Sequence, residues 1–138
     1  MTKSVSDKLG VKAGSKAYFL NAPDQFGEEV EMPQLELKAK LVGEFDYMHA
    51  FAVTQKELHA AFGKLKEHLK STGMLWISWP KSGQNETDLN IKIVIKIGYD
   101  HGLVESKAIS INTIWSALKF THPIPGKEYN NSYGKLKD

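Results

Sequence analysis

Residues 74–81 read Met-Leu-Trp-Ile-Ser-Trp-Pro-Lys, and this stretch decides the fold of the chain. The run is apolar except for Ser78, which is typical of a strand covered on both faces of a parallel sheet. Pro80 ends the run, because proline lacks the N–H that a strand ladder needs. We therefore predict a central strand, with Trp76 in the core and Trp79 at its carboxyl end.

An amphipathic helix precedes this strand. Thr54 and Glu57 have the spacing of a capping box, and Gly73 is predicted to end the helix. The apolar stripe consists of Leu58, Ala61, Phe62, Leu65 and Leu69. The strand before this helix, Phe45–Val53, is apolar on both faces, which predicts a parallel β-α-β unit. We interpret His49 within that strand as a hydrogen-bonded core residue.

Two further strands are predicted near the amino terminus. The first is Lys16–Asn21, which is followed by the turn Asn21–Asp24 and a short helix over Asp24–Val30. The second is Gln34–Leu41, where apolar and charged residues alternate with a period of two. Such alternation indicates one face in solvent, so we predict that this strand lies at an edge of the sheet.

Residues 89–97 fit two structures. Isoleucines alternate with polar residues, and this pattern together with β-branching favours a strand. A buried parallel strand at 74–80, however, requires a crossover before its next parallel neighbour, and Thr87 and Asp88 are typical of a helix start. We predict a helix from Asp88 to Tyr99 and retain the strand as the alternative.

The remaining chain predicts a hairpin and a tail. The runs Leu103–Ile111 and Ile114–Phe120 are joined at Asn112-Thr113, which predicts an antiparallel hairpin. No long linker divides the sequence, so we predict one domain over residues 1–122 and a polar C-terminal tail over 123–138.

Composition excludes several classes of function. The 138 residues carry a net charge of +2, and all 18 basic residues are lysines. Without arginine or a basic stripe, nucleic-acid binding is not expected. The lack of cysteine excludes thiolate chemistry and cysteine metal sites, and the scattered histidines predict no metal site. No apolar run could cross a membrane, so we predict a cytoplasmic protein.

Four motifs carry a resemblance to a known family: Leu20–Pro23, Gly73–Lys81, Thr87–Leu89 and Thr113–Phe120. Between about Leu9 and Phe120, the chain resembles a bacterial family of small proteins defined only as a domain of unknown function. The order of elements is similar to a degenerate methyltransferase-like Rossmann domain. The resemblance therefore implies a three-layer α/β fold with a mostly parallel sheet and an antiparallel C-terminal hairpin. It implies no activity.

The residues that would hold a cofactor in such a fold are missing. A Rossmann-like site needs glycines after the first strand, where the backbone approaches the cofactor, but residues 21–24 contain none. The second strand also lacks an acidic residue at its end. We therefore expect no cofactor. Ser78 and Lys81 have a Ser-x-x-Lys spacing, which we reject as catalytic because Pro80 separates them at a strand end.

The candidate site lies at the carboxyl ends of the strands, where open α/β sheets bind ligands. The candidate ligand-binding residues are Asn21, Asp24, Trp79, Lys81 and Asp88. Trp79 could stack on a flat ligand and Lys81 could hold an anion, but the favoured interpretation is that Trp79 is core at a strand end and Lys81 lies in solvent. No catalytic residue is predicted. The leading interpretation is a non-catalytic binding or interaction module, acting on a protein partner or as a homo-oligomer. The alternative is a small-molecule-binding enzyme that uses this rim.

Overall fold

The computed structural model describes residues 4–24, 26, 30–129 and 136, which form a six-stranded mixed sheet covered by helices on both faces. In chain order the elements are α1 (Val5–Leu9), β1 (Lys16–Leu20), β2 (Glu36–Leu37), β3 (Phe45–Phe51), α2 (Gln55–Leu65), β4 (Leu69–Pro80), α3 (Ile91–Asp100), β5 (Val104–Ser110) and β6 (Trp115–Thr121). Two 3₁₀ segments, Lys66–His68 and Lys81–Glu86, flank β4.

The strand order is β2-β1-β3-β4-β6-β5. The first four strands in this order run parallel, and β6 lies antiparallel between β4 and β5. The predicted fold class is therefore confirmed, including the buried position of β4 and the antiparallel terminal hairpin. The hairpin connection is longer than the predicted two residues, because strand pairing ends at Ser110 and Trp115 and Asn112 Oδ1 accepts the backbone N–H of Trp115 at 2.8 Å.

Strand β4 supplies side chains to two separate cores. Leu75, Ile77 and Trp79 belong to the larger core, which α2 and α3 cover. Trp76 is fully buried in the second core, on the opposite face. Its indole Nε1 donates a hydrogen bond to the carbonyl oxygen of Leu9 at 3.1 Å. Because successive residues of a strand face opposite ways, one apolar run fills both layers.

The ambiguous segment 89–97 forms helix α3, so the helical prediction is confirmed. The helix begins three residues later than predicted. Asn90 caps it, because the Asn90 side chain accepts the N–H of Ile93 at 3.0 Å, whereas Thr87 bonds to Leu89 and Val53. The alternation of isoleucines favours a strand, but the segment is helical, and helix α3 packs Val94, Ile95 and Ile97 against the larger core.

The amino-terminal strands differ from their predicted extents. Edge strand β2 covers only Glu36–Leu37 rather than Gln34–Leu41, because it pairs with β1 at two positions and the chain then bends at residues 39–40. Its edge position is confirmed, but Leu37 is 56% exposed. Strand β3 ends at Phe51, two residues before the predicted end at Val53.

The predicted helix over 24–30 lies partly outside the described residues. Asp24 and Phe26 are helical, whereas Gln25 and residues 27–29 are not among the residues that the structure describes.

The C-terminal segment is described only in part. Tyr129 and Leu136 pack against the larger core, and the Tyr129 hydroxyl accepts the N–H of Ile124 at 2.9 Å. Residues 130–135, 137 and 138 lie outside the described part of the chain, so the predicted boundary at residue 122 stays a prediction. None of the described helices has the length and apolar character needed to cross a membrane.

Two helical glycines provide a matched test of the packing. A Cβ added to Gly98 of α3 would lie 2.1 Å from Cε1 of Phe120, which is fully buried. We expect Gly98→Ala to lower the free energy of unfolding in urea by about 1–3 kcal/mol. Gly63 of α2 is the control, because no described atom lies within 4 Å of its added Cβ. Gly63→Ala should stabilise the protein by about 0.5–1 kcal/mol. Equal effects of the two substitutions would contradict this packing of α3.

Candidate functional site

The carboxyl ends of β1, β3 and β4 lie along one edge of the sheet, because these three strands run parallel. This edge is where open α/β sheets bind ligands, and the predicted site residues follow the strands that end there. The three strand ends differ in the side chains that surround them.

The turn after β1 leaves the strand through Asn21, whose φ is 58°. Asparagine tolerates this left-handed conformation better than most residues with a Cβ. The turn continues through half-buried Ala22, which packs against the second core, and Pro23, whose carbonyl accepts the N–H of Phe26 at 3.0 Å. Asn21 and Asp24 are exposed. The turn thus directs its two polar side chains to solvent, and Pro23 offers no N–H to a ligand.

Aromatic rings fill the carboxyl end of β3. Phe26, which follows the β1 turn, packs on Phe51 with ring centroids 5.0 Å apart and on His49 at 4.9 Å. His49 stacks on Phe51 at 4.6 Å, and Trp115 meets the edge of Phe51 at 5.2 Å. Phe26 and Phe51 are each only 3% exposed. We call Phe26, His49, Phe51 and Trp115 the aromatic cluster, and it packs on one face of the sheet near the carboxyl ends of β1 and β3.

A buried chain of hydrogen bonds runs through His49, which is also a member of the aromatic cluster. The Tyr47 hydroxyl is 2.8 Å from Nδ1 of His49, and Nε2 of His49 is 2.6 Å from Oγ of Ser78. All three residues are fully buried. The interpretation of His49 as a hydrogen-bonded core residue agrees with these contacts, since both ring nitrogens have a partner.

Burial determines the protonation states of Tyr47 and His49. It lowers the pKa of His49 from 6.5 to about 3, and it raises the pKa of Tyr47 above its ordinary value. His49 is therefore neutral near pH 7. A serine and a histidine in contact could form part of a nucleophilic site, but here no solvent reaches either side chain.

An open cleft lies at the carboxyl end of β4. Its volume is about 570 Å³, within the range of small-molecule sites. Residues lining it include Trp79, Lys81, Leu89, Ile91, Ala108 and Ser110. We call this space the β4 cleft. Trp79 is 5% exposed, so it belongs to the core and also forms part of the cleft wall.

Lys81 is the one charged residue among the described residues that line the β4 cleft. Its Nζ donates a short hydrogen bond to Oγ of Ser110, and its backbone N–H donates to the carbonyl of Ile114 at 2.7 Å. The lysine is therefore held at the cleft wall by β5 and by the hairpin connection. Oγ of Ser78 bonds to His49 on the other face of β4, so Ser78 and Lys81 do not form a catalytic pair.

Asp88 contacts a different element from the one predicted for it. Its Oδ1 accepts the backbone N–H of Gln55, the first residue of α2, at 2.8 Å, and Gln55 Nε2 donates to the Asp88 carbonyl at 3.2 Å. A carboxylate at a helix amino terminus stabilises the unpaired N–H groups there. Asp88 thus caps α2, alongside the Thr54–Glu57 capping box, rather than α3.

The structure brings together two of the five predicted ligand-binding residues. Trp79 and Lys81 share the β4 cleft, whereas Asn21, Asp24 and Asp88 are not among its described lining residues. The residues that β5, β6 and α3 contribute were not predicted from the sequence. The pairing of Trp79 with Ser116 brings β6 to the cleft, and only knowledge of the strand order could have found this. The described residues contain no cluster of three metal-ligating side chains.

Comparisons with known proteins support the fold. No protein-family model matches the sequence, and no curated protein is significantly similar to it. Solved structures similar to it include a methyltransferase from Pyrococcus furiosus (12% identity, TM-score 0.54, 82% of this chain and 77% of that one) and the N-methyltransferase NodS from Bradyrhizobium japonicum (13%, 0.54, 85% and 90%). A TehB-like SAM-dependent methyltransferase from Corynebacterium glutamicum is also similar (9%, 0.52, 83% and 84%). At these identities the likeness shows a methyltransferase-like fold and no activity.

S-adenosylmethionine is the cofactor that such a fold implies, and the residues of this chain do not fit it. The turn after β1 has no glycine to admit a cofactor to the backbone, and Pro23 removes one N–H from it. The aromatic cluster fills the space beside this turn. Strand β2 ends at Leu37 and is followed by Lys38, where an acidic residue would be needed to bind ribose hydroxyls.

Proposed function

We propose that this protein is a non-catalytic binding module on a methyltransferase-like fold. The observation that carries the proposal is the packing of Phe26 on His49 and Phe51, which fills the sheet face beside the turn after β1 with buried rings. A cofactor placed there would have to displace rings that are almost completely buried. Exposing each ring to water would cost about 1.5–3 kcal/mol of free energy.

The buried chain of Tyr47, His49 and Ser78 supports a non-catalytic role. Its histidine makes hydrogen bonds through both nitrogens and is neutral near pH 7, so its contacts are those of a core residue. The serine is fully buried and cannot meet a substrate. These residues specify the packing between β3 and β4.

A small-molecule enzyme that uses the β4 cleft is the second candidate function. The cleft favours it, because its volume suits a small ligand and Lys81 lies at its wall. Within the described lining we find a cation and hydroxyl groups but no carboxylate or histidine that could act as a general base. For this reason binding without reaction is the preferred proposal.

Membership of the bacterial family that the four motifs resemble, and a cytoplasmic location, belong to the same proposal. The expected partner, whether a second copy of the chain or another protein, also remains a prediction.

Titration with S-adenosylmethionine tests the proposed function. We expect no saturable heat in calorimetry and no change in melting temperature at millimolar concentrations, since a site saturated to 100 times Kd would add about 2.7 kcal/mol of stability. Sinefungin and S-adenosylhomocysteine should behave alike. Saturable binding of any of the three compounds would contradict the proposal.

A further inference from the structure

The β4 cleft has the chemistry of a site for an organic anion. Most of its described lining is apolar, and Ile91 at its edge is 42% exposed. An apolar body could remove the exposed side chains of Ile91 and Ala108 from water together. Burial of such surface favours a ligand with a hydrophobic part.

The charge of the cleft selects the polar part of the ligand. Lys81 is the single ionic residue of the described lining, and no carboxylate of the described chain forms an ion pair with it. Its hydrogen bond to Ser110 keeps the ammonium group at the wall. One cation neutralises one negative charge, and a dianion would bring a second, uncompensated charge into an apolar cleft. The cleft therefore favours a monoanion over a phosphate ester.

We propose that the β4 cleft binds a small organic monoanion, with its carboxylate on Lys81 and Ser110 and its apolar body against Trp79 and Ile91. The inference deepens the proposed binding function and rests on it. It assigns the ligand to a class, a carboxylic acid with a compact hydrophobic body. The four residues named come from β4, α3, β5 and the 3₁₀ segment after β4, so the site exists only in the folded chain.

Two acids and their amides test this assignment on the full-length protein. We would titrate 2-naphthoate and octanoate, each beside 2-naphthamide or octanamide, and follow binding by tryptophan fluorescence and calorimetry. Each acid should bind saturably and about tenfold more tightly than its amide, since tenfold in affinity corresponds to about 1.4 kcal/mol. Failure of both acids to bind, or equal binding of acid and amide, would overturn the proposal.

Matched variants locate the site. Lys81→Met keeps the aliphatic stem and should weaken each acid about tenfold while leaving each amide unchanged. Lys64→Met, on the exposed face of α2, is the control and should leave acids and amides unchanged. Ala108→Phe places a ring in the cleft at an exposed position of β5 and should abolish binding of all four compounds. Acid binding that survives both Lys81→Met and Ala108→Phe would overturn the assignment.

The S-adenosylmethionine titration separates the two proposals. Binding of that compound contradicts the proposed function whatever the acids do. If neither it nor the acids bind, the ligand assignment fails, while the closure of the cofactor end is upheld.

Discussion

Trp76→Ala should lower the free energy of unfolding by about 3–5 kcal/mol, as expected for the removal of a large, fully buried aromatic side chain. Trp76 lies in the second core, and its indole donates a hydrogen bond to the carbonyl of Leu9. The substitution therefore leaves a cavity and also removes the hydrogen bond between the sheet and the last residue of α1. Urea denaturation at pH 7.5 measures the loss.

Trp76→Phe is the matched control for this prediction. It keeps a ring in the core but leaves the Leu9 carbonyl without its indole donor, so a smaller loss of about 1–3 kcal/mol is expected. If Trp76→Ala proved no more destabilising than Trp76→Phe, the position of Trp76 in the second core would be wrong.

The second prediction concerns pH and His49. Burial lowers the pKa of His49 in the folded protein to about 3, whereas in the unfolded chain it is near 6.5. Between these values the unfolded chain binds a proton that the folded protein does not, so stability falls as the pH falls. From pH 7.5 to 4.5, His49 alone should remove about 2–3 kcal/mol of unfolding free energy.

His49→Gln isolates this contribution. Glutamine does not titrate, and its amide can still hydrogen-bond to Ser78. The variant will be less stable at pH 7.5, but its further loss on acidification should be smaller than that of the wild type by about 2–3 kcal/mol. The remaining histidines and carboxylates are common to both proteins and cancel in the comparison. Parallel stability curves for the two proteins would show that His49 is not buried and neutral.

The fold could be predicted from the sequence where local pattern and topology agree. The apolar run of residues 74–80 and the capping box of Thr54 and Glu57 required no tertiary information. Helix α3 could not be predicted from its local pattern alone, because its alternating isoleucines favour a strand. The prediction succeeded because a buried parallel strand must be followed by a crossover.

The candidate site was less predictable because distant segments form it. Residues near the ends of β1 and β4 were placed correctly at one edge of the sheet, but they lie at strands that β3 separates. Asp88 illustrates the difficulty, since its sequence position suggests a cap for α3 and its carboxylate instead holds the first residue of α2. Lys81, which follows β4, hydrogen-bonds to Ser110 of β5 even though β6 lies between these two strands, and the local sequence gives no sign of this contact.

The chain keeps the sheet of a methyltransferase-like fold, and buried rings pack beside the turn after its first strand. The first turn lacks the glycines that would admit a cofactor, and Phe26 fills the adjacent space. The β4 cleft lies two strands away from β1. We therefore propose that the β4 cleft binds the ligand and that the aromatic cluster has a structural role.

Amide chemical shifts measured during two ligand titrations test this claim most directly. With 2-naphthoate, we predict saturable shifts confined to the residues around Trp79, Lys81, Ile91 and Ala108. With S-adenosylmethionine, we predict no saturable shift. Saturable shifts at Asn21, Asp24 and the end of β3 on addition of S-adenosylmethionine would contradict the account, because they would show that the cofactor end of the sheet is open.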